Sequence, residues 1–150
     1  FRMSDALMTV YKLIWDDFCS WYLEIIKPEF GKPIDVATYQ KTVSLFESSL
    51  KMLHPFMPFI TEELWHELNE RKEKDCILIA NWPTPGTIQQ TLLKEAEFAF
   101  GIVSQIRNTR NAKGISPKEP VTLFTLEKNN IPAQFLPVLI KLGNINTVEI

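Results

Sequence analysis

The sequence predicts a mainly α protein, a helical bundle that carries a small β-α-β appendage at its C-terminal end. Three observations carry that prediction. Apolar residues recur at three- and four-residue spacings in four segments, residues 4–27, 36–54, 58–70 and 87–113. Prolines stand at or between the ends of those segments and never inside them, as helix boundaries require. After Pro120 the texture changes to β-branched and aromatic residues, Val121-Thr122-Leu123-Phe124-Thr125-Leu126-Glu127, in partial alternation. The expected division is residues 1–118 for the bundle and 119–150 for the appendage.

In the first segment Ser4 or Asp5 is a candidate N-cap, and Pro28 ends the helix. Leu7, Val10, Ile14, Phe18, Tyr22 and Ile25 mark one inward stripe. Trp15 and Trp21 lie off it, so this helix is apolar on more than one side; it is either central in the bundle or carries an extra contact surface. A turn built on Pro28, Gly31 and Pro33 leads to Asp35, an N-cap for the second helix. That helix is the clearest amphipathic stretch, with Val36, Tyr39, Val43, Phe46, Leu50 and Leu53 inward.

Pro55 and Pro58 break the chain before a third helix with Ile60, Leu64, Trp65 and Leu68 inward. Residues 69–75 are polar and read as a loop, and Cys76 to Ala80 as a strand-like piece or a buried connection. Trp82-Pro83-Thr84-Pro85-Gly86 reads as a rigid turn. Thr87 is the expected cap of the fourth helix, with Leu92, Ala96, Ala99, Val103 and Ile106 inward and Gly114 as its stop. The tail then reads as a strand over 121–127, a helix over 132–143 and a strand over 147–150.

Composition narrows the function. The 150 residues are 45% apolar and 23% charged, ordinary for a globular domain. A net charge of −2 argues against a general nucleic-acid binder but leaves room for a local basic face. Cys19 and Cys76 sit in apolar runs and read as reduced thiols. No signal peptide is visible, and no stretch of 18 apolar residues suggests a membrane span. The chain starts without Met in a helical pattern and stops within a strand pattern, so a piece of a longer protein is expected.

Catalytic chemistry is missing from the pattern. Glu62, His66 and Glu70 have helical spacing for a metal face, but a solvated charged face is the stronger reading. The five glycines form no phosphate-binding loop, and no Cys–His pair or nucleophile elbow occurs. Periodicity and composition by themselves support a helical binding or structural domain with no active site of its own.

Three runs add a resemblance. Ile14-Trp15-Asp16-Asp17-Phe18-Cys19-Ser20-Trp21-Tyr22-Leu23-Glu24 resembles the first long helix of the anticodon-binding domain of valyl-tRNA synthetases, with Asp17 and Ser20 where that run usually has acidic Glu and Asp. Leu53-His54-Pro55-Phe56-Met57-Pro58-Phe59-Ile60-Thr61-Glu62-Glu63-Leu64-Trp65 resembles a second run of the same domain, which isoleucyl and leucyl relatives share more loosely. Ile106-Arg107-Asn108-Thr109-Arg110, followed by Ile115-Ser116-Pro117, is similar to a third. The resemblance spans essentially the whole chain. It implies the helical bundle of class Ia synthetases and a role in gripping the anticodon arm of tRNA(Val), whose second and third anticodon bases identify it.

The resemblance places valine, ATP and Mg in an upstream catalytic domain, implies no cofactor for this chain, and implies a cytoplasmic monomer without membrane contact. Anticodon loops are read by stacking on aromatic or guanidinium planes and by hydrogen bonds to base edges, while cations meet the phosphates. The candidates on the first helix are Arg2, Lys12, Trp15 and Phe18, against the alternative that Trp15 and Phe18 are core. Arg107, Arg110 and Lys113 form a basic stripe at i, i+3, i+6 near the end of the fourth helix, against the alternative that they only complement its dipole. Leu78 and Trp82 flank a turn that could close over the loop. The competing class is a helical protein-interaction domain, for which an uncovered Trp15/Trp21 face would speak.

Overall fold

The computed structural model describes residues 2–126 and 131–149. They form two compact units, Phe1–Gly86 and Thr87–Ile150, each described by itself below.

The first unit opens on a helical rod: α1 (Met3–Lys12), a π-helical segment (Leu13–Tyr22) and α2 (Leu23–Ile26). Ser4 and Asp5 do not cap it, because the helix already begins at Met3 with Arg2 in the capping position. The π segment uses wider i→i+5 bonding, seen where the Leu23 N–H donates to the Phe18 carbonyl. Lys27 is extended (φ −53°, ψ 122°), as steric contact with Pro28 demands, and the rod stops there.

The second helix, α3 (Val36–Leu53), starts where expected: the Asp35 carboxylate accepts the Thr38 N–H at 2.9 Å. That bond holds the Asp35 carboxyl below the usual aspartate range. Because the folded-state pKa is depressed, the stabilisation is complete above the ordinary aspartate value. It fades as acid takes the pH below that value and is gone below the folded pKa. In an acid titration followed by circular dichroism, Asp35→Asn is expected to keep the cap and to lose this component of the pH dependence. An unchanged titration curve would contradict the assignment.

Val36 and Tyr39 were expected inward and are exposed. Packing against the rod begins lower, where the Tyr22 hydroxyl meets Thr42 Oγ1 at 3.1 Å and Phe18 stacks on Phe46. After His54 the chain turns into α4 (Pro58–Leu68), with Pro58 in the first turn, where its missing N–H costs nothing. The inward face of α4 is Thr61, Trp65 and Leu68, so Ile60, one residue out of that stripe, points to solvent. The fully buried Thr61 is satisfied by His54 Nδ1 at 2.7 Å and the Met57 carbonyl at 2.8 Å.

Leu50, Trp65 and Ile77 are the buried centre, with Phe46, Leu64, Leu68 and Ala80 around them. The 69–75 loop folds back onto this centre. The Arg71 guanidinium lies 3.7 Å from the Trp65 ring centroid and bonds Glu47 and the Trp65 carbonyl. Trp65 Nε1 in turn donates to the Asp75 carbonyl at 3.0 Å. The 76–80 run is not a strand but a connection with a 3₁₀ turn (Ile77–Ile79), anchored by the buried Ile77 while Leu78 and Ile79 face solvent. The Ile77 N–H donates to the Glu62 carboxylate at 3.1 Å, and His66 Nε2 lies 3.1 Å from the same group. Glu70, the third member of the spaced Glu62/His66/Glu70 set, lies beyond the end of α4. Residues 81–86 form no hydrogen-bonded turn, contrary to the expected rigid one.

The second unit is built on α5 (Gln90–Lys113), which begins after Gln89 and not after Thr87. It ends as expected at Gly114, left-handed at φ 65°, and the Ile115 N–H returns to the Arg110 carbonyl at 2.9 Å. A strand β1 (Val121–Phe124), a 3₁₀ turn (Ala133–Phe135), α6 (Leu136–Gly143) and β2 (Ile145–Glu149) follow. The expected β-α-β piece is therefore present: β1 and β2 pair in parallel, with a register shift between Val121 and Thr122. The expected strand ends at Glu127 and Ile150 lie outside the described residues.

The tail packs on the long helix. Phe135 meets Phe100 edge-on at 6.5 Å, and a Cβ added to Gly143 would press on Ile145 at 3.0 Å and Ile106 at 3.3 Å. In this unit Ala99 and Val103 of α5, Leu139 of α6 and Ile145 of β2 are buried. Among the described residues, no helix is long and apolar enough to cross a membrane.

Candidate nucleic-acid interface

The rod of the first unit sorts its aromatic residues to opposite sides. Phe18 is buried, stacked on Tyr22 at 5.5 Å and on Phe46 at 5.4 Å. It was a candidate for base stacking, and the structure removes it: both ring faces serve the core. Trp15 goes the other way, 60% exposed, and stacks on Tyr11 with centroids 6.3 Å apart and planes 12° from parallel. Tyr11 is itself 50% exposed. Lys12, exposed, is adjacent in sequence to Tyr11.

The wider turn of the π segment shifts the phase of the residues after Lys12 relative to an α-helical stripe, yet Phe18, on the expected inward stripe, is buried and Trp15, off it, is exposed. Ser20, at a position where the resembled run carries an acid, donates its hydroxyl to the Trp15 carbonyl at 2.8 Å across that turn. Tyr11 was missed by sequence reading. Its i, i+4 spacing to Trp15, which makes two helical side chains neighbours, was the available signal.

Arg2, at the start of the rod, is exposed and pairs with Asp5 at 3.0 Å. Leu78 and Trp82 are exposed on the connection that follows α4. In this unit the structure therefore leaves Arg2, Lys12, Trp15, Leu78 and Trp82 at the surface.

In the second unit the basic stripe is split. Arg107 and Lys113 are exposed, but Arg110 is buried. Its guanidinium donates to the carbonyls of Ser116 at 2.7 Å, Gly143 at 3.1 Å and Asn144 at 3.3 Å. Arg110 thus ties α5 to the α6–β2 corner, and its burial keeps it from meeting a phosphate in solvent. The correction has a plain cause: α5 lies against the appendage along this face, and the fork of donors meets backbone carbonyls gathered there, two of which, Ser116 and Asn144, also accept backbone N–H groups.

A helical module that presents a stacked, exposed aromatic pair and exposed cations is suited to unpaired RNA. The family model described as the anticodon-binding domain of tRNA ligase matches residues 1–125, and the chain belongs to that family. Its relatives include valine–tRNA ligases. That of Christiangramia forsetii is 44% identical over 99% of this chain, that of Phocaeicola vulgatus 46% identical over 99%, and that of Bacteroides fragilis 43% identical over 100%. The chain spans about 17% of the length of these relatives.

Proposed function

We propose that this chain is the anticodon-arm-binding part of a valine–tRNA ligase and holds tRNA(Val) so that its acceptor end reaches a catalytic domain elsewhere in the longer protein. The observation that carries the reading is the exposed Tyr11–Trp15 stack beside Lys12, on a chain of the anticodon-binding family. Parallel rings with open faces suit an unstacked base, and the ammonium suits the phosphate next to it. Arg2, Arg107 and Lys113 supply further phosphate contacts, and Leu78 and Trp82 apolar ones. Phe18 and Arg110 act inside the fold.

The contribution to the reaction is placement: a bound anticodon arm fixes the orientation of the whole tRNA. Valine and ATP with Mg belong to the catalytic domain, and the parent enzyme is read as a cytoplasmic monomer.

The test is binding of the chain to two anticodon stem-loops, one with a valine anticodon and one differing only in its second and third anticodon bases. Preference for the valine loop is expected. Trp15→Ala is expected to cost about 1–3 kcal/mol of affinity. Lys12→Ala is expected to lower the slope of log affinity against log salt by about 1. Absence of binding to either loop at low salt would sink the reading.

A further inference from the structure

The turn between the rod and α3 carries Phe30, whose side chain has no cover at all: its exposure is 106%. A loose loop would usually fold such a ring onto the surface, since burying a phenyl group is among the larger apolar gains available. This segment is held out instead. Lys27 is fixed in extended form before Pro28, and Pro33 limits the other flank. Between them the Lys32 N–H donates to the Glu29 carbonyl at 3.0 Å, and Gly31 takes the left-handed φ of 79° that closes the turn without steric cost.

Two cations flank the ring, Lys27 three residues before it and Lys32 two after. Each pairs with a local carboxylate, Lys27 with Glu24 at 3.4 Å and Lys32 with Glu29 at 2.5 Å. All four side chains are about half to three-quarters exposed, so these pairs exchange readily for other anions.

We infer that this turn is a second RNA contact of the chain: Phe30 stacks on an unpaired base, and Lys27 and Lys32 meet the phosphates on either side of it. The inference rests on the anticodon-arm reading and adds an element to it. An aromatic ring pre-set in an open position loses little freedom on binding, and a base offers a flat apolar face of matching size. A backbone that tracks past the ring presents its charge where the lysines stand.

The experiment uses the whole 150-residue chain and a valine-anticodon stem-loop carrying 2-aminopurine at successive loop positions. Phe30→Ala is expected to weaken binding by at least fivefold and to remove the quenching of one 2-aminopurine position, while Phe30→Trp keeps both. Lys27→Ala with Lys32→Ala is expected to lower the salt slope by about 2. Phe30 touches no core residue, so Phe30→Ala is expected to keep the wild-type melting curve, which separates contact loss from unfolding. If Phe30→Ala binds within twofold and quenches as wild type while Trp15→Ala weakens binding, the turn makes no RNA contact and the anticodon-arm reading stands. If the wild-type chain binds no stem-loop, both fall. A turn that serves a protein partner would give the first of these two results.

Discussion

Trp65→Ala is expected to destabilise the first unit by about 3–5 kcal/mol, the cost of deleting a large buried aromatic ring and leaving its cavity. The ring also organises its surroundings. Arg71 lies over its face at 3.7 Å, Lys51 approaches at 5.2 Å, and its Nε1–H holds the Asp75 carbonyl. Removing it therefore frees the 69–75 loop along with the core. Trp65→Phe keeps most of the apolar contact and the face beneath Arg71 but loses the indole donor, so a smaller loss of about 1–3 kcal/mol is expected. Urea unfolding followed by circular dichroism measures both, and amide exchange at residues 71–77 reports the loop. Because the chain has two units, the transition of residues 1–86 must be followed separately from that of 87–150. A Trp65→Ala chain with an unchanged first-unit midpoint would refute the assignment of this ring as the centre of the core.

The second large effect concerns Arg110. Its three acceptors, the carbonyls of Ser116, Gly143 and Asn144, come from two separate stretches of chain. Arg110→Met preserves much of the volume but none of the donors, and a cost of about 3 kcal/mol is expected in the second unit, since hydrogen bonds to a charged group contribute about 1.5–3 kcal/mol. Arg110→Lys is expected to recover less than half, because one ammonium cannot span a fork-shaped set of acceptors. Thermal unfolding measures this, with amide signals of residues 136–149 as the local probe. The phosphate-contact reading from sequence makes the opposite forecast: unchanged stability and a salt slope of RNA binding lower by about 1. The two outcomes do not overlap.

Much of the fold was legible because its signals are local. Pro28 dictates the conformation of Lys27, Asp35 supplies an acceptor to the Thr38 N–H, and Gly114 accepts a left-handed φ. None of these needs a distant partner, so each could be read from a few residues. The runs around Trp15, Pro55 and Arg107 led by resemblance to the same family that the family model matches over residues 1–125. The β-α-β tail was legible from its change of composition.

The candidate site was harder to read, for reasons visible in particular residues. Periodicity put Phe18 on the inward stripe and Trp15 off it, as the structure has them, but the residue types alone kept both rings as stacking candidates on a helix apolar on more than one side. Arg107, Arg110 and Lys113 form an even basic stripe in the sequence, and nothing local distinguishes the middle one. Phe30 and Tyr11 gave weak signals for another reason: an exposed apolar residue looks, in sequence, like any core residue.

The sequence by itself determined the cap of α3, the stops at Pro28 and Gly114, the β-α-β piece and the family, though not the starts of α1 and α5. These follow from backbone sterics, capping and the spacing of apolar residues, all of which act within a few positions along the chain. Tertiary structure alone decided that Arg110 is a buried tie, that Tyr11 stacks on Trp15 at the surface and that α5 packs against α6 of the appendage. Those outcomes depend on which face of a helix meets a neighbour. That choice is made by the shape and hydrogen-bonding groups of the partner element, such as the Gly143 and Asn144 carbonyls that accept from Arg110.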